Sequence, residues 1–170
     1  MDDLKTMALR ATMIADKPGL TRLKEVKPLG ADGERIVIGV PPNYPKILAA
    51  FPAAEKTRGV IFAYGSTIFN RDGVTLEQPI VAHELVHLDQ QKKIGVEVWW
   101  DRYIAEPDFR YLEELQAHQV EYFWATQTAN RNVRRAYLSV IAKRLSSPLY
   151  GSVVTLAAAK KAIKGEIVNG

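Results

Sequence analysis

The chain has 170 residues, 47% of them hydrophobic and 25% charged, which is the balance of one ordinary globular domain. It has no cysteine, which excludes disulfides, thiolate metal sites and cysteine nucleophiles. The net charge of +4 is uneven: residues 131–170 carry eight Lys/Arg against the single acid Glu166, whereas residues 1–130 hold 15 basic and 18 acidic side chains.

In chain order, residues 3–16 read as a helix ended by Lys17-Pro18-Gly19. Glu34 to Val40 reads as a strand stopped by Pro41-Pro42, and Tyr44 to Phe51 as a short helix. Gly59 to Tyr64 and Ser66 to Asn70 are two short strands, or one strand broken at Gly65, with the turn Arg71-Asp72-Gly73 after them. From Thr75 the pattern is helical. Thr75 and Gln78 have capping-box spacing, Pro79 fits a first turn, and Lys92, Lys93 and Gly95 suit the end. Further helices are predicted over Val96 to Ile104 and Pro107 to Thr128. In a fourth, Val133, Ala136, Tyr137, Val140, Ile141 and Leu145 follow the i, i+3, i+4, i+7 rule. Ser147-Pro148 breaks it, and Val154 to Lys164 forms a last short helix. The expected fold class is α+β, a short β-sheet followed by a helical half. It makes one domain over 1–170, with a core at about 34–128 and a basic helical region at 129–170. That region suggests an anionic partner, with a solvated helix face as the plainer reading.

The segment His83-Glu84-Leu85-Val86-His87 sets two of the three histidines four residues apart on a predicted helix. This spacing offsets them by roughly 40° and about 6 Å, so both imidazoles can reach one metal ion. Glu84, beside the first, can act on a metal-associated water as general base without occupying the metal. Val81, Leu85 and Leu88 form an apolar stripe for the core, and His83, Glu84, His87 and Gln91 fall on a polar face turned to a cleft. Two bare surface histidines would be the plain alternative. A catalytic zinc site needs a third protein ligand, and the later helix offers Glu114 and His118 four apart on one face, extended by Glu121. Glu114 is the expected ligand and His118 its supporting neighbour; Glu113 and His118 are the rivals. Trp99-Trp100 with Tyr103 read as core, with a substrate wall as the alternative.

The sequence resembles the gluzincin group of zincin metallopeptidases. Their active-site helix carries His-Glu-x-x-His, here His83, Glu84 and His87. A later helix supplies a glutamate, often as Glu-x-x-Ala and a polar residue, here Glu114, Ala117 and His118. Leu88-Asp89-Gln90-Gln91 is similar to small uncharacterised bacterial and phage peptidase-like proteins, and the resemblance covers about residues 58–126. It implies a zincin-like domain and a zinc (Zn2+) cofactor on His83, His87 and Glu114. The implied reaction is hydrolysis of a peptide or amide bond in a peptide, protein or peptidoglycan, with Glu84 as base. His118 stands where many of these enzymes have aspartate, and no later histidine exists, so a Tyr or Arg must stabilise the transition state; Tyr103, Tyr111 and Tyr122 are candidates. The strand Ser66 to Asn70 is expected at the cleft edge, pairing with extended substrate. A different reading makes the chain a non-catalytic zincin-like component of a larger, phage-type assembly, with protein partners. The N-terminus, Met1-Asp2-Asp3, predicts no signal peptide, and the sequence predicts no membrane span. A cytoplasmic place or one within a virion or similar assembly follows from either.

Overall fold

The computed structural model describes residues 33–165. The helix predicted over 3–16 lies outside them. The described chain is mixed α+β, with a three-stranded sheet and seven α-helices. The strands are β1 (Arg35–Val37), β2 (Ile61–Tyr64) and β3 (Thr67–Asn70), in the order β1-β3-β2. β1 runs parallel to β3, whereas β2 and β3 form an antiparallel hairpin in which Tyr64 faces Thr67. Gly65, at φ +65°, makes this turn, so the segment is two strands. β3 is therefore the central strand. It has neighbours on both sides, so the Ser66–Asn70 segment cannot take an added substrate strand; among the described residues the edge strands are β1 and β2, and β2 lines a cavity.

Two short helices, α1 (Tyr44–Ala50) and α2 (Ala53–Lys56), lie between β1 and β2. The Arg71 guanidinium pins them, donating to the carbonyls of Ala54 and Thr57 and to the Tyr44 hydroxyl. α3 (Gln78–Ile94) follows the hairpin and packs Val81 and Leu88 onto Ala63 and Ile68. Its start corrects the capping box. The N-cap is Glu77, and no side chain caps it. Were Thr75 the cap, Pro79 would sit in the fourth helical position, where its ring meets the carbonyl four residues back and no N–H is available to bond it. Gly95, at φ +95°, separates α3 from α4 (Val96–Ala105), and α5 (Pro107–Thr126) returns along α3.

α6 (Arg131–Leu145) begins at Asn130, whose side chain accepts from the backbone N–H groups of Asn132 and Val133. A 3-10 turn, Pro148–Tyr150, leads to α7 (Leu156–Ile163), capped by Thr155. The buried stripe of α6 is Leu138, Ile141, Ala142 and Leu145, while Val133, Ala136 and Val140 are exposed. The sequence supports two overlapping apolar stripes, and the wider one lost. Selection falls to the partner surface, where Tyr111, Leu115 and Tyr122 of α5 meet the Leu138–Leu145 stripe together with Ala159 and Ile163 of α7. Each fully buried aliphatic side chain there contributes about 1.5–3 kcal/mol. The apolar face of the basic region is thus packed against α5, with Arg131, Arg134, Arg135 and Lys143 left exposed. No helix among the described residues is long and apolar enough to cross a membrane.

Candidate metal centre and adjoining cavity

α3 and α5 bring three of the expected side chains together. His83 Nε2 lies 3.1 Å from His87 Nε2; Glu114 Oε2 is 3.5 Å from the first and Glu114 Oε1 is 3.4 Å from the second. All three residues are buried. Four donors around an ion at about 2.0–2.1 Å stand about 3.3–3.4 Å apart, so this triangle has the size a tetrahedral zinc requires.

The outer hydrogen bonds fix which atoms face inward. His83 Nδ1 lies 3.0 Å from Glu121 Oε2, and a carboxylate only accepts, so Nδ1 carries the proton and Nε2 presents its lone pair. His87 Nδ1 lies 2.8 Å from Gln90 Oε1. The Gln90 amide nitrogen is engaged by the Glu113 carbonyl and by Gln116 Oε1, which turns its oxygen to His87. Two imidazole lone pairs 3.1 Å apart repel unless a cation lies between them. On the third ligand, Glu114 Oε1 accepts from the Tyr103 hydroxyl at 2.5 Å, whereas Oε2 is buried with no hydrogen-bond partner. An ionised oxygen orphaned in this way, 3.5 Å from His83 Nε2, fits a metal ligand.

Without a metal, protons take that role. Burial opposes charge on His83, but the Glu114 and Glu121 carboxylates outweigh it and lift its pKa to about 10. His87 is raised as well, burial being overcome chiefly by Glu114. Burial alone would raise Glu114; His87 and His83 instead hold it well below the usual carboxylate range. Burial raises Glu84, although His83 and His87 oppose it. The Glu84 carboxylate has no hydrogen-bond partner among the described residues, and the residue lines the adjoining cavity.

Glu121 is the hub that sequence reasoning reduced to a face extension. Its Oε2 receives both His83 Nδ1 and, at 2.7 Å, His118 Nδ1. Its Oε1 accepts from the Tyr137 hydroxyl at 2.8 Å, with Arg144 3.6 Å away. His118 Nε2 is buried, has no partner, and lies 3.8 Å from Glu114 Oε2. Burial lowers its pKa, which leaves the ring neutral. His118 therefore borders the triangle, grouped with His83 and Glu121. Glu113 turns away and accepts from the Trp99 indole at 2.9 Å. Gln91, expected on the cleft face, instead staples α3 to the hairpin: its oxygen accepts from Gly65 N–H and its amide donates to the Ala63 carbonyl. Tyr111 and Tyr122 pack against α6 and α7, away from the triangle.

A cavity of about 370 Å³ opens beside His83, Glu84 and Glu114. Trp99 and Trp100 are both core and wall, packed with Ile47 and Phe62 while lining it. Tyr150 also lines the cavity, from the 3-10 turn after α6, and its hydroxyl has no hydrogen-bond partner among the described residues. Burial and the Glu114 and Glu84 carboxylates hold its pKa well above the ordinary value, so the hydroxyl stays a donor. Gly151 makes this approach feasible. At φ +90°, a Cβ there would lie 2.8 Å from Pro107 Cβ. No protein-family model, curated protein or solved structure matches the chain.

Proposed function

We propose that the chain is a zinc-dependent, gluzincin-like hydrolase of peptide or amide bonds, with His83, His87 and Glu114 as ligands and Glu84 as general base. The observation that carries this is the meeting of two imidazole lone pairs and an orphaned carboxylate oxygen, beside a second buried carboxylate that faces a cavity. Zinc bound there supplies a Lewis acid that polarises the scissile carbonyl and acidifies the attacking water. Glu84 takes a proton from that water and delivers it to the leaving nitrogen. Its raised pKa suits both halves of this transfer. Tyr103 holds Glu114 by one oxygen and leaves the other to the metal. With that hydroxyl engaged, Tyr150 is the better candidate to donate to the developing oxyanion. The exposed Arg131, Arg134, Arg135 and Lys143 of α6 support contact with an anionic partner.

The test is metal analysis of purified protein together with cleavage of a fluorogenic peptide library, with and without chelator. Wild-type protein is expected to hold about one zinc per chain and to cleave only when loaded. Glu84→Gln should keep the zinc and lose cleavage by more than a hundredfold; unchanged cleavage would assign the base elsewhere. A second reading is favoured by one observation. The partnerless His118 Nε2 lies 3.8 Å from Glu114 Oε2; drawn onto the ion, it would make a site with four protein ligands, which is closed and structural. Stoichiometric zinc without hydrolysis, retained in Glu84→Gln, would support that structural component over the enzyme.

A further inference from the structure

Arg110 is the charged residue of the cavity wall that the hydrolysis leaves unused. Only 5% exposed, it lies on α5 one turn before Glu114. A buried guanidinium is ordinarily matched by a carboxylate. Arg110 has none among the described residues, and its Nε has no hydrogen-bond partner. Its Nη1 donates to the carbonyls of Tyr103, at 2.6 Å, and Ile104, at 3.2 Å, in the last turn of α4, where the helix dipole favours a cation. The guanidinium also lies 5.1 Å from the Phe51 ring centre and 5.8 Å from that of Tyr103. These contacts fix the side chain, but none of them carries a full negative charge.

The rest of the wall is largely apolar and aromatic, including Phe51, Phe62, Trp99, Trp100 and Tyr150. The complementary ligand is a carboxylate attached to a large apolar group. Arg110 and Glu114 are separated by about 6 Å of helix. One or two residues of extended chain, at about 3.3–3.6 Å each, span that distance. We infer that Arg110 recognises the C-terminal carboxylate of a peptide whose last residue is large and apolar, so that the hydrolase acts as a carboxypeptidase. This rests on the hydrolytic reading above. In the reaction, the terminal C–N bond breaks, water's hydroxyl joins the carbonyl carbon, and its proton joins the released amine. One or two C-terminal residues leave.

The experiment has two arms. In the first, full-length protein stripped of metal is titrated with N-acetyl-phenylalanine and with its amide, followed by fluorescence of the cavity tryptophans. The acid is expected to bind at least tenfold more tightly. Arg110→Gln should abolish the preference, and Arg110→Lys should keep part of it. Equal binding of acid and amide by wild-type protein overturns the inference, whether or not the variants fold. A preference that survives in folded Arg110→Gln assigns the carboxylate to the protonated histidines and also overturns it. In the second arm, zinc-loaded protein receives peptides ending in phenylalanine, as free acid and as amide, and peptides with an internal aspartate. Selective shortening of the free acids is expected. Equal cleavage of free and amidated chains would leave the hydrolase standing and remove the carboxypeptidase. Cleavage governed by the aspartate would assign Arg110 to an acidic side chain. If no peptide is cleaved, the hydrolytic reading fails, and the carboxypeptidase with it, while the first arm still decides whether Arg110 binds carboxylates.

Discussion

At the scale of single residues, the proton on each imidazole decides what the site can hold. Glu121 accepts from His83 and His118 with the same oxygen, and both histidines hold its pKa below the usual carboxylate range against the opposing effect of burial. Glu121→Gln keeps the shape but loses the charge that fixes both rings. Zinc affinity should fall about 10–100-fold, as expected for groups that orient ligands, measured by competition with a chromophoric chelator. Glu113→Gln should leave zinc affinity unchanged and alter Trp99 fluorescence, since its carboxylate holds that indole. The same geometry sets a pH dependence. In metal-free protein His83 titrates near pH 10 and His87 above its ordinary value, so zinc entering at neutral pH must expel a proton. Zinc affinity should therefore keep rising between pH 7 and 9, where unperturbed histidines would already have levelled off. Calorimetry in buffers of different ionisation enthalpy should show proton release at pH 7.5. Flat affinity over that range would mean that the pair is neutral.

At the scale of elements, two small devices position the site. Gln91→Ala would leave the Gly65 N–H and the Ala63 carbonyl without this partner between α3 and the hairpin. The loss should be about 1–3 kcal/mol, read from urea unfolding of metal-free protein. Gly151→Ala combines a left-handed backbone with a clash against Pro107, so the turn carrying Tyr150 must move. Cleavage should drop while zinc content stays near one per chain. Equal losses of both would show that the turn supports the ligands rather than the reaction. These devices also mark what the sequence could disclose. That His83 and His87 share one face of α3, and Glu114 and His118 one face of α5, was legible because i, i+4 spacing on a helix is a local property. The start of α3 is set by Pro79, whose effect on the capping box is also local. The buried stripe of α6 was decided by α5 and α7, and the central position of β3 by where β1 attaches, neither of which periodicity encodes. Glu121 and Tyr150 gain their roles only where chain segments meet, at the α3–α5 packing and at the return after α6.

At the scale of the molecule, the candidate metal centre is supported from beyond its own helices. The line His83–Glu121–Tyr137 runs from α3 through α5 to α6, and Arg144 of α6 adds a positive charge beside the same carboxylate. The sequence suggested a core ending near residue 128 with a basic helical appendage. The packing gives that appendage two tasks: it covers Tyr111, Leu115 and Tyr122 on the far side of α5, and it holds Glu121 in place. A chain cut after Thr128 should expose that apolar face and lose the sharp unfolding transition of the full chain. Its zinc affinity should fall at least as far as in Glu121→Gln. Tyr137→Phe in the full chain separates the two tasks, since it keeps the covered face and removes only the hydroxyl. It should unfold cooperatively, with a smaller loss of zinc affinity than the cut chain. A cut chain that unfolds as sharply as the full one and binds zinc as tightly would show that the site is built without residues 129–170. The contacts of Tyr137 and Arg144 would then be incidental.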